Sequence, residues 1–245
     1  MPSAPRRVHR LAEHLGLTDH DRIVRMSTTI SNPDDHLASP RPLLLASASP
    51  RRRELLAALG RSYQSSTADI DESALPGEEP AAFVLRMAES KARAVADRLH
   101  AKEESGGKDG RGSIQALPLV IGSDTIVVHG GRILGKPASR QEAKAVLREL
   151  RNQRHLVHTG VAVVDPVSGK VRRDLGTTGV WMRNYHDEEI ETYVASGDPM
   201  DKAGAYAIQH PGFRPVARLE GSEANVIGLP LALLATLLGR FDREA

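Results

Sequence analysis

The run LPLVIGSDTIVV, residues 117–128, constrains the fold more than any other part of this sequence. Its aliphatic and β-branched residues form the strongest strand signal in the chain. Asp124 lies inside the run, where a carboxylate needs hydrogen bonds, a metal ion or a catalytic role. A structural aspartate is the alternative, but the pattern favours a functional residue.

A second apolar run, LLLASA at residues 43–48, predicts a short buried strand that leads directly into a helix. Ser49 suits the N-cap of this helix and Pro50 its first position. The first turn then carries three adjacent cations, Arg51, Arg52 and Arg53. Cations are unfavourable at that end of the helix dipole, and a bound phosphate would reverse the effect. A solvated basic turn is the alternative.

Residues 79–101, EPAAFVLRMAESKARAVADRLHA, predict a helix of about five turns. Lys91 falls on the apolar stripe of this helix. The stripe includes Val84, Ala88, Val95 and Leu99. A lysine on an inward face needs either a bound anion or a path along which its ammonium group reaches water. The pattern alone leaves both interpretations open.

The remaining sequence alternates strand and helix signals. Strand signals lie within residues 130–137, 155–165 and 177–182, and helix signals cover residues 139–150, 187–197 and 228–241. This alternation predicts an α/β protein with a mixed sheet and flanking helices. His155 and His158 face opposite sides of their strand, which argues against a metal site formed by the two histidines.

Composition excludes several functional classes. The chain of 245 residues contains no cysteine, which excludes disulfides and thiolate chemistry and is compatible with a cytoplasmic protein. A net charge of +2 and an aromatic content of 3% argue against a nucleic-acid-binding module. No apolar run approaches the ~20 residues of a membrane span, so no membrane association is expected.

The domain organisation follows from changes in composition along the chain. Residues 1–40 mix Pro, Ser, Asp, His and Arg without a clear period, and we expect a loosely ordered N-terminal extension. Residues 41–245 then form the folded domain. Within it, residues 101–115 are rich in glycine and charge and predict a flexible surface insertion.

Cations and carboxylates recur at the ends of the expected elements. The cations are Arg51, Arg52, Lys91 and Lys136, and the carboxylates are Asp71, Glu72 and Asp124. Carboxylate oxygens are the ligands that Mg²⁺ or Mn²⁺ prefers. The combination suits a polyphosphate substrate with a divalent cation, in which the cations bind phosphate and a carboxylate positions or deprotonates water.

These motifs together resemble the Maf family of nucleoside triphosphate pyrophosphatases. The matching segments are LLLASASPRRRELL, DIDES, ESKARAVA, IGSDTIVV, LGKP, HLVHTGVAVVD, PMDKAGAYAIQ and NVIGLPL, in the family's order over residues 42–241. The resemblance implies a two-lobed α/β fold around a cleft, similar to inosine triphosphate pyrophosphatase. It also implies cleavage between the α and β phosphates, a divalent cation, a cytoplasmic location and a homodimer.

The resemblance assigns roles to individual residues. Asp124 matches the family's proposed general base, although a role as metal ligand stays open. Glu72 and Asp124 are the expected metal ligands. The expected phosphate-binding residues are Ser47, Arg52, Lys91 and Lys136.

The resemblance also bears on substrate preference. The pattern matches the branch of the family that acts on dTTP and UTP at three positions, Arg51, Thr125 and Gln209. Physically, the amide of Gln209 can both donate to and accept from the edge of a pyrimidine. Ala207 and His210 depart from the family's pattern beside the expected base pocket, so substrate choice is open to a shift.

Other functions are compatible with the same sequence. Within enzymes, the alternatives are pyrophosphatases that prefer purine nucleotides or 7-methyl-GTP. A different class is a regulatory binding protein, because members of the family are linked with septum formation and arrest of cell division.

Overall fold

The structure is a computed structural model that describes residues 41–106 and 117–243. Its strands are β1 (Leu43–Ala46), β2 (Tyr63–Ser66), β3 (Leu119–His129), β4 (Arg132–Leu134), β5 (Arg154–Val164), β6 (Val171–Met182) and β7 (Val216–Glu220). Its helices are α1 (Pro50–Ala57), α2 (Pro80–Gly106), α3 (Arg140–Leu150), α4 (Asp187–Ala195), α5 (Glu223–Ile227) and α6 (Leu231–Asp242). Short 3-10 turns cover Asp198–Asp201 and Ala203–Ala205.

The strands of the described residues form one mixed sheet, which confirms the predicted fold class. The order is β2-β1-β3-β5-β6-β7, and β4 pairs with β3. Strand β1 is parallel to both β2 and β3, whereas the pairs β3–β5, β5–β6 and β6–β7 are antiparallel. Helix α1 therefore begins at the carboxyl end of β1, beside the centre of β3.

Two apolar clusters occupy opposite halves of the long strands. In the first, Ile121 and Val161 pack with α1 and α6. In the second, Val127 and Val157 pack with α3 and α4. These clusters correspond to the two lobes expected around a cleft, and Asp124 lies on β3 between them.

Helix α2 lies directly against the backbone of the central strands. A Cβ atom added at Gly122 of β3 would lie 2.0 Å from the carbonyl oxygen of Ala88. One added at Gly160 of β5 would lie 2.4 Å from the carbonyl oxygen of Val84. Because only glycine permits this approach, the two positions fix how deeply α2 sits and where Lys91 points.

Several element boundaries differ from the sequence prediction. Helix α2 extends to Gly106, so the first part of the expected 101–115 insertion is helical. Strand β6 begins at Val171 rather than at residue 177, because its polar first half pairs with β5 as regularly as its apolar second half. The expected N-terminal extension, residues 1–40, lies outside the described residues. No helix among the described residues is long and apolar enough to cross a membrane.

The close contact of α2 with β3 generates a prediction. Gly122→Ala should lower the free energy of unfolding by about 3 kcal/mol, because the added methyl group forces the helix away from the sheet. The same substitution at Gly239, inside α6 and near only the flexible end of Arg243, should instead stabilise by about 0.5–1 kcal/mol. Urea unfolding of both variants measures the difference, and equal effects would contradict this packing argument.

Candidate active site

A cavity of about 690 Å³ opens between the two apolar clusters. Its walls come from the β1–α1 junction, the loop before α2, the centre of β3, the loop after β4 and the segment after the 3-10 turns. Asp71 lies outside this cavity, but all nine residues to which the family resemblance assigns a role line it. They are Ser47, Arg51, Arg52, Glu72, Lys91, Asp124, Thr125, Lys136 and Gln209. The tertiary structure therefore brings together residues up to 162 positions apart in sequence, from 47 to 209.

Arg52 is held by neutral oxygen atoms. Its Nε donates to the carbonyl oxygen of Gly228 at 2.9 Å, its Nη1 to Ser47 Oγ at 3.3 Å and its Nη2 to Thr125 Oγ1 at 3.1 Å. Burial lowers the pKa of Arg52, and the charge of Asp124 opposes that effect. Thr125 thus contacts the arginine directly, and the guanidinium charge of Arg52 is left without a carboxylate partner among the described residues.

The three arginines at the start of α1 point in different directions. Ser49 is the N-cap, as predicted, and its side chain accepts from the backbone N–H of Arg52. Arg51 approaches Asp201 on the opposite wall, with Nη2 and Oδ2 3.8 Å apart. Arg53 bonds back to the carbonyl oxygen of Ala48 and does not line the cavity. Two of the three cations therefore face the site where an anion was expected.

Lys91 forms two ion pairs on the cavity wall. Its Nζ lies 2.7 Å from Asp124 Oδ1 and 2.8 Å from Glu72 Oε1. The Lys91 side chain is 11% exposed and that of Asp124 13%, whereas Glu72 is 57% exposed. The lysine on the apolar stripe of α2 is therefore matched by anions, and the alternative that it merely reaches for water is wrong.

The carboxylates separate into two groups. Glu72 and Asp124 converge on one ammonium group, so a cation already occupies the point they share. Asp71 does not line the cavity, and hydrogen bonds from the side chain and the backbone N–H of Ser73 lower its pKa. Among the described residues, no group of three or more acidic or histidine side chains is placed to hold a metal.

Lys136 lies in the loop that follows β4. The carbonyl oxygen of the preceding residue, Gly135, accepts from the N–H of Gly204 at 3.1 Å. This bond ties the Lys136 loop to the segment that continues to Gln209. Lys136 is exposed and has no ion pair among the residues that the structure describes.

A buried polar network supports Arg52 and was not predicted. Thr159 bonds to Thr125 at 3.1 Å and donates to the carbonyl oxygen of Asn225 at 2.8 Å. Ser123 Oγ donates to Gly228 O at 2.9 Å, the same acceptor that Arg52 uses. The sequence signal for this network is hydroxyl residues at inward positions of apolar strands.

The segment expected to face a base also borders the cavity. Ala207 and Gln209 line it, whereas His210 does not; the His210 ring packs edge-on against Tyr193 with ring centroids 4.8 Å apart. Lys202 also lines the cavity and was not among the predicted site residues. Two residues further on, Gly204 has a φ of +70°, a backbone turn that favours glycine.

His155 and His158 lie on opposite faces of β5, as predicted. The buried His155 Nε2 lies 2.8 Å from the hydroxyl of Tyr206, whose side chain lines the cavity. His158 Nδ1 instead bonds to Thr177 on the other face. Burial lowers the pKa of His155 to about 4, and the nearby His129 adds to the effect.

The sequence comparison decides the relationship of this chain to known proteins. The family model described as Maf-like protein matches residues 42–241. The chain belongs to the Maf-like protein family. The matched range contains every residue that lines the cavity, so the cavity is part of the shared Maf domain.

Several similar Maf relatives carry the name dTTP/UTP pyrophosphatase. The protein of Pelotomaculum thermopropionicum is 45% identical over 199 residues, covering 81% of this chain and 96% of the relative. That of Moorella thermoacetica is 46% identical over 199 residues, covering 81% and 94%. That of Syntrophotalea carbinolica is 41% identical over 215 residues, covering 88% and 90%.

The environment of His155 predicts a pH dependence of stability. Because its pKa is lower in the folded protein than the ordinary value of 6.5, the unfolded chain binds a proton first as pH falls. The contribution of His155 to the free energy of unfolding is therefore fully present above pH 6.5. As pH falls towards 4, up to about 3 kcal/mol of this contribution is lost.

His155→Gln should reduce this loss of stability, as measured by urea unfolding between pH 7 and pH 4.5. Tyr206→Phe is the matched control. It should retain the pH dependence, because burial rather than the hydroxyl bond lowers the pKa of His155. An unchanged pH dependence in His155→Gln would contradict the assignment.

Proposed function

We propose that this protein hydrolyses the bond between the α and β phosphates of dTTP and UTP, giving a nucleoside monophosphate and pyrophosphate. The observation that carries the proposal is the ion-paired group of Lys91, Asp124 and Glu72 in a cavity also lined by Arg52 and Lys136. The names of the Maf relatives support the reaction and the substrates.

The charges of the cavity suit a triphosphate. Arg52 is oriented by Ser47, Thr125 and Gly228, which are neutral, so its charge is available to a phosphate group. Lys136 supplies a second cation without a carboxylate partner among the described residues. The N-terminus of α1 adds backbone N–H groups and a favourable dipole beside them.

Asp124 is the residue we assign to the attacking water. Its Oδ1 is fixed by Lys91, so its Oδ2 is the atom that accepts the proton. The water oxygen then bonds to the α phosphorus, the bond from that phosphorus to the bridging oxygen breaks, and pyrophosphate leaves. Arg52 and Lys136 stabilise the negative charge that grows on the leaving phosphates.

The carboxylates also suit a divalent cation. Mg²⁺ is commonly held by one or two carboxylates together with substrate phosphates, and Glu72, Asp124 and a triphosphate provide that donor set. We propose Mg²⁺ or Mn²⁺ as the cofactor, with Glu72 and Asp124 as its protein ligands. Such an ion would polarise the phosphoryl group.

Substrate preference is assigned to Arg51, Thr125 and Gln209. Gln209 lines the cavity, and we propose that its amide bonds to the polar edge of a pyrimidine there. Thr125 acts through Arg52, to which it is hydrogen-bonded. Ala207 lines the cavity beside Gln209, so its methyl group is part of the base pocket we propose.

We further propose a cytoplasmic location and a homodimer, in line with the Maf resemblance. Analytical ultracentrifugation of the purified chain tests the second of these, and a monomer at micromolar concentration would overturn it.

The reaction is tested by measuring pyrophosphate release with Mg²⁺ from dTTP, UTP, ITP and 7-methyl-GTP. We expect release from dTTP and UTP, and a loss of about 10²- to 10⁴-fold in Asp124→Asn, because the proton acceptor is removed. Asp97→Asn is the matched control, since Asp97 is exposed on α2 outside the cavity.

Other outcomes separate the alternatives. Release only from ITP or 7-methyl-GTP would retain the proposed reaction but overturn the assignment of dTTP and UTP as substrates, and Ala207 in the cavity wall would be the residue to examine. No release from any nucleotide would favour a regulatory binding protein. Release that survives Asp124→Asn would overturn the role of Asp124.

The metal proposal has its own test. Chelation with EDTA should abolish pyrophosphate release, and added Mg²⁺ or Mn²⁺ should restore it. Glu72→Gln should raise the metal concentration for half-maximal activity by about tenfold or more, because one anionic oxygen is lost. Glu79→Gln, an exposed carboxylate outside the cavity, should leave that concentration unchanged. Full activity in EDTA would overturn the proposal.

A further inference from the structure

Lys202 is a buried cation that the proposed reaction does not use. Its side chain is 8% exposed and lies between the two 3-10 turns. Its Nζ donates to the carbonyl oxygen of Asp198 at 2.5 Å, to Asp198 Oδ1 at 2.8 Å and to Asp201 Oδ1 at 2.6 Å. All three donors of the ammonium group are therefore committed to protein oxygens.

One arm of this network crosses the cavity to Arg51. Lys202 holds Oδ1 of Asp201, and Oδ2 of the same carboxylate lies 3.8 Å from Arg51 Nη2. The Asp201 side chain is 70% exposed, so its orientation is set by these two cations rather than by packing. The position of the Arg51 guanidinium group is thereby linked to Lys202.

The other arm reaches the segment that carries Gln209. Asp198 Oδ2 accepts from the hydroxyl of Tyr193 at 2.7 Å, and the Tyr193 oxygen accepts from the N–H of Ala207 at 2.9 Å. Burial alone would raise the pKa of Asp198, but hydrogen bonds from Lys202 and Tyr193 outweigh it and lower that pKa. Asp198 is thus an ionised acceptor for both donors.

The backbone between the two arms depends on such contacts. Gly197, Gly204 and Ala205 all have positive φ angles, of 79°, 70° and 58°. A non-glycine residue in this region is strained and persists only when its surroundings hold it. The segment has 3-10 turns in place of regular secondary structure, so its course is held by the Lys202 network together with the bond from Gly204 to Gly135 and the burial of Ala205.

We infer that Lys202 is a positioning residue that sets the base preference of the site. This inference rests on the proposed function, which assigns base selection to Arg51 and Gln209. These two residues lie on different segments that line the cavity. Lys202 is linked to Arg51 through Asp201, and to the segment of Gln209 through Asp198 and Tyr193. It fixes the segment that presents Gln209 and, through Asp201, the direction of Arg51.

The orientation of Gln209 matters because an amide that turns by 180° exchanges its donor and acceptor. Uracil presents an N–H at position 3 and an oxygen at position 4, whereas cytosine presents an acceptor and an amino group there. A fixed amide distinguishes UTP from CTP, and a loosened amide accepts both. Loss of the Lys202 network should therefore reduce discrimination more than it reduces turnover.

The test compares kcat/KM for UTP and CTP in Lys202→Met, which retains the length of the side chain and removes its charge. We expect the UTP/CTP ratio to fall by about tenfold or more, since small displacements of positioning groups have effects of this size. Lys144→Met is the matched control, because Lys144 pairs with Glu191 away from the cavity. Its UTP/CTP ratio should stay within about twofold of the wild-type value.

Two milder variants keep the test decisive if Lys202→Met does not fold. Asp201→Asn interrupts the arm to Arg51 at an exposed position, and Tyr193→Phe interrupts the arm to Ala207 while retaining the ring stack on Phe213. Each should lower the UTP/CTP ratio with little change in melting temperature. Lys202→Arg should recover part of the ratio because it retains the charge.

The outcomes distinguish this inference from the proposed function. Wild-type protein that hydrolyses neither dTTP nor UTP would overturn the function itself. If the wild type hydrolyses UTP and folded Lys202→Met loses kcat/KM equally for UTP and CTP, only the inference is overturned. The Lys202 network would then be a purely structural ion cluster. Calorimetric titration with the α,β-methylene analogues of UTP and CTP measures the same selectivity without turnover, and an unchanged binding ratio would also overturn the inference.

Discussion

The ion pair between Lys91 and Asp124 is the interaction on which the rest of the site depends. Helix α2 approaches the sheet closely because Gly122 and Gly160 carry no side chain, and this depth carries the Lys91 stem past apolar neighbours. Burying this ammonium group costs free energy unless an anion pairs with it. Asp124, at the centre of β3, is that anion. The packing of α2 against the sheet therefore determines where the Lys91–Asp124 ion pair lies in the cavity.

The cations that line the cavity differ in how many carboxylates they contact. Lys91 and Lys202 each contact two carboxylates, whereas Arg52 is held by neutral oxygens and Lys136 has no ion pair among the described residues. A phosphate binds more favourably to Arg52 and Lys136, because it does not have to displace a carboxylate from them. The neutral network behind Arg52, including Thr125, thus preserves charge for the substrate we propose.

Prediction from sequence was most successful where a pattern is local. The capped start of α1 and the strand around Asp124 follow from residue order alone. The first half of β6 was missed because its polar residues carry no strand signal and are ordered by pairing with β5. Lys202 was missed because its ion pairs with Asp198 and Asp201 depend on the 3-10 turns that bring these two carboxylates to its ammonium group, and the sequence carries no periodic signal for those turns.

The sequence by itself determined the types of the longer apolar elements, the residues that carry charge and, through its motifs, membership of the Maf-like family, because these depend on side-chain chemistry and periodicity. Only the tertiary structure decided how those charges are used. It showed that Lys91 meets Asp124, that Asp71 turns away from the cavity, and that Thr125 contacts Arg52. The physical reason is that electrostatic interactions act over a few ångströms in space, and folding alone brings such distant residues that close.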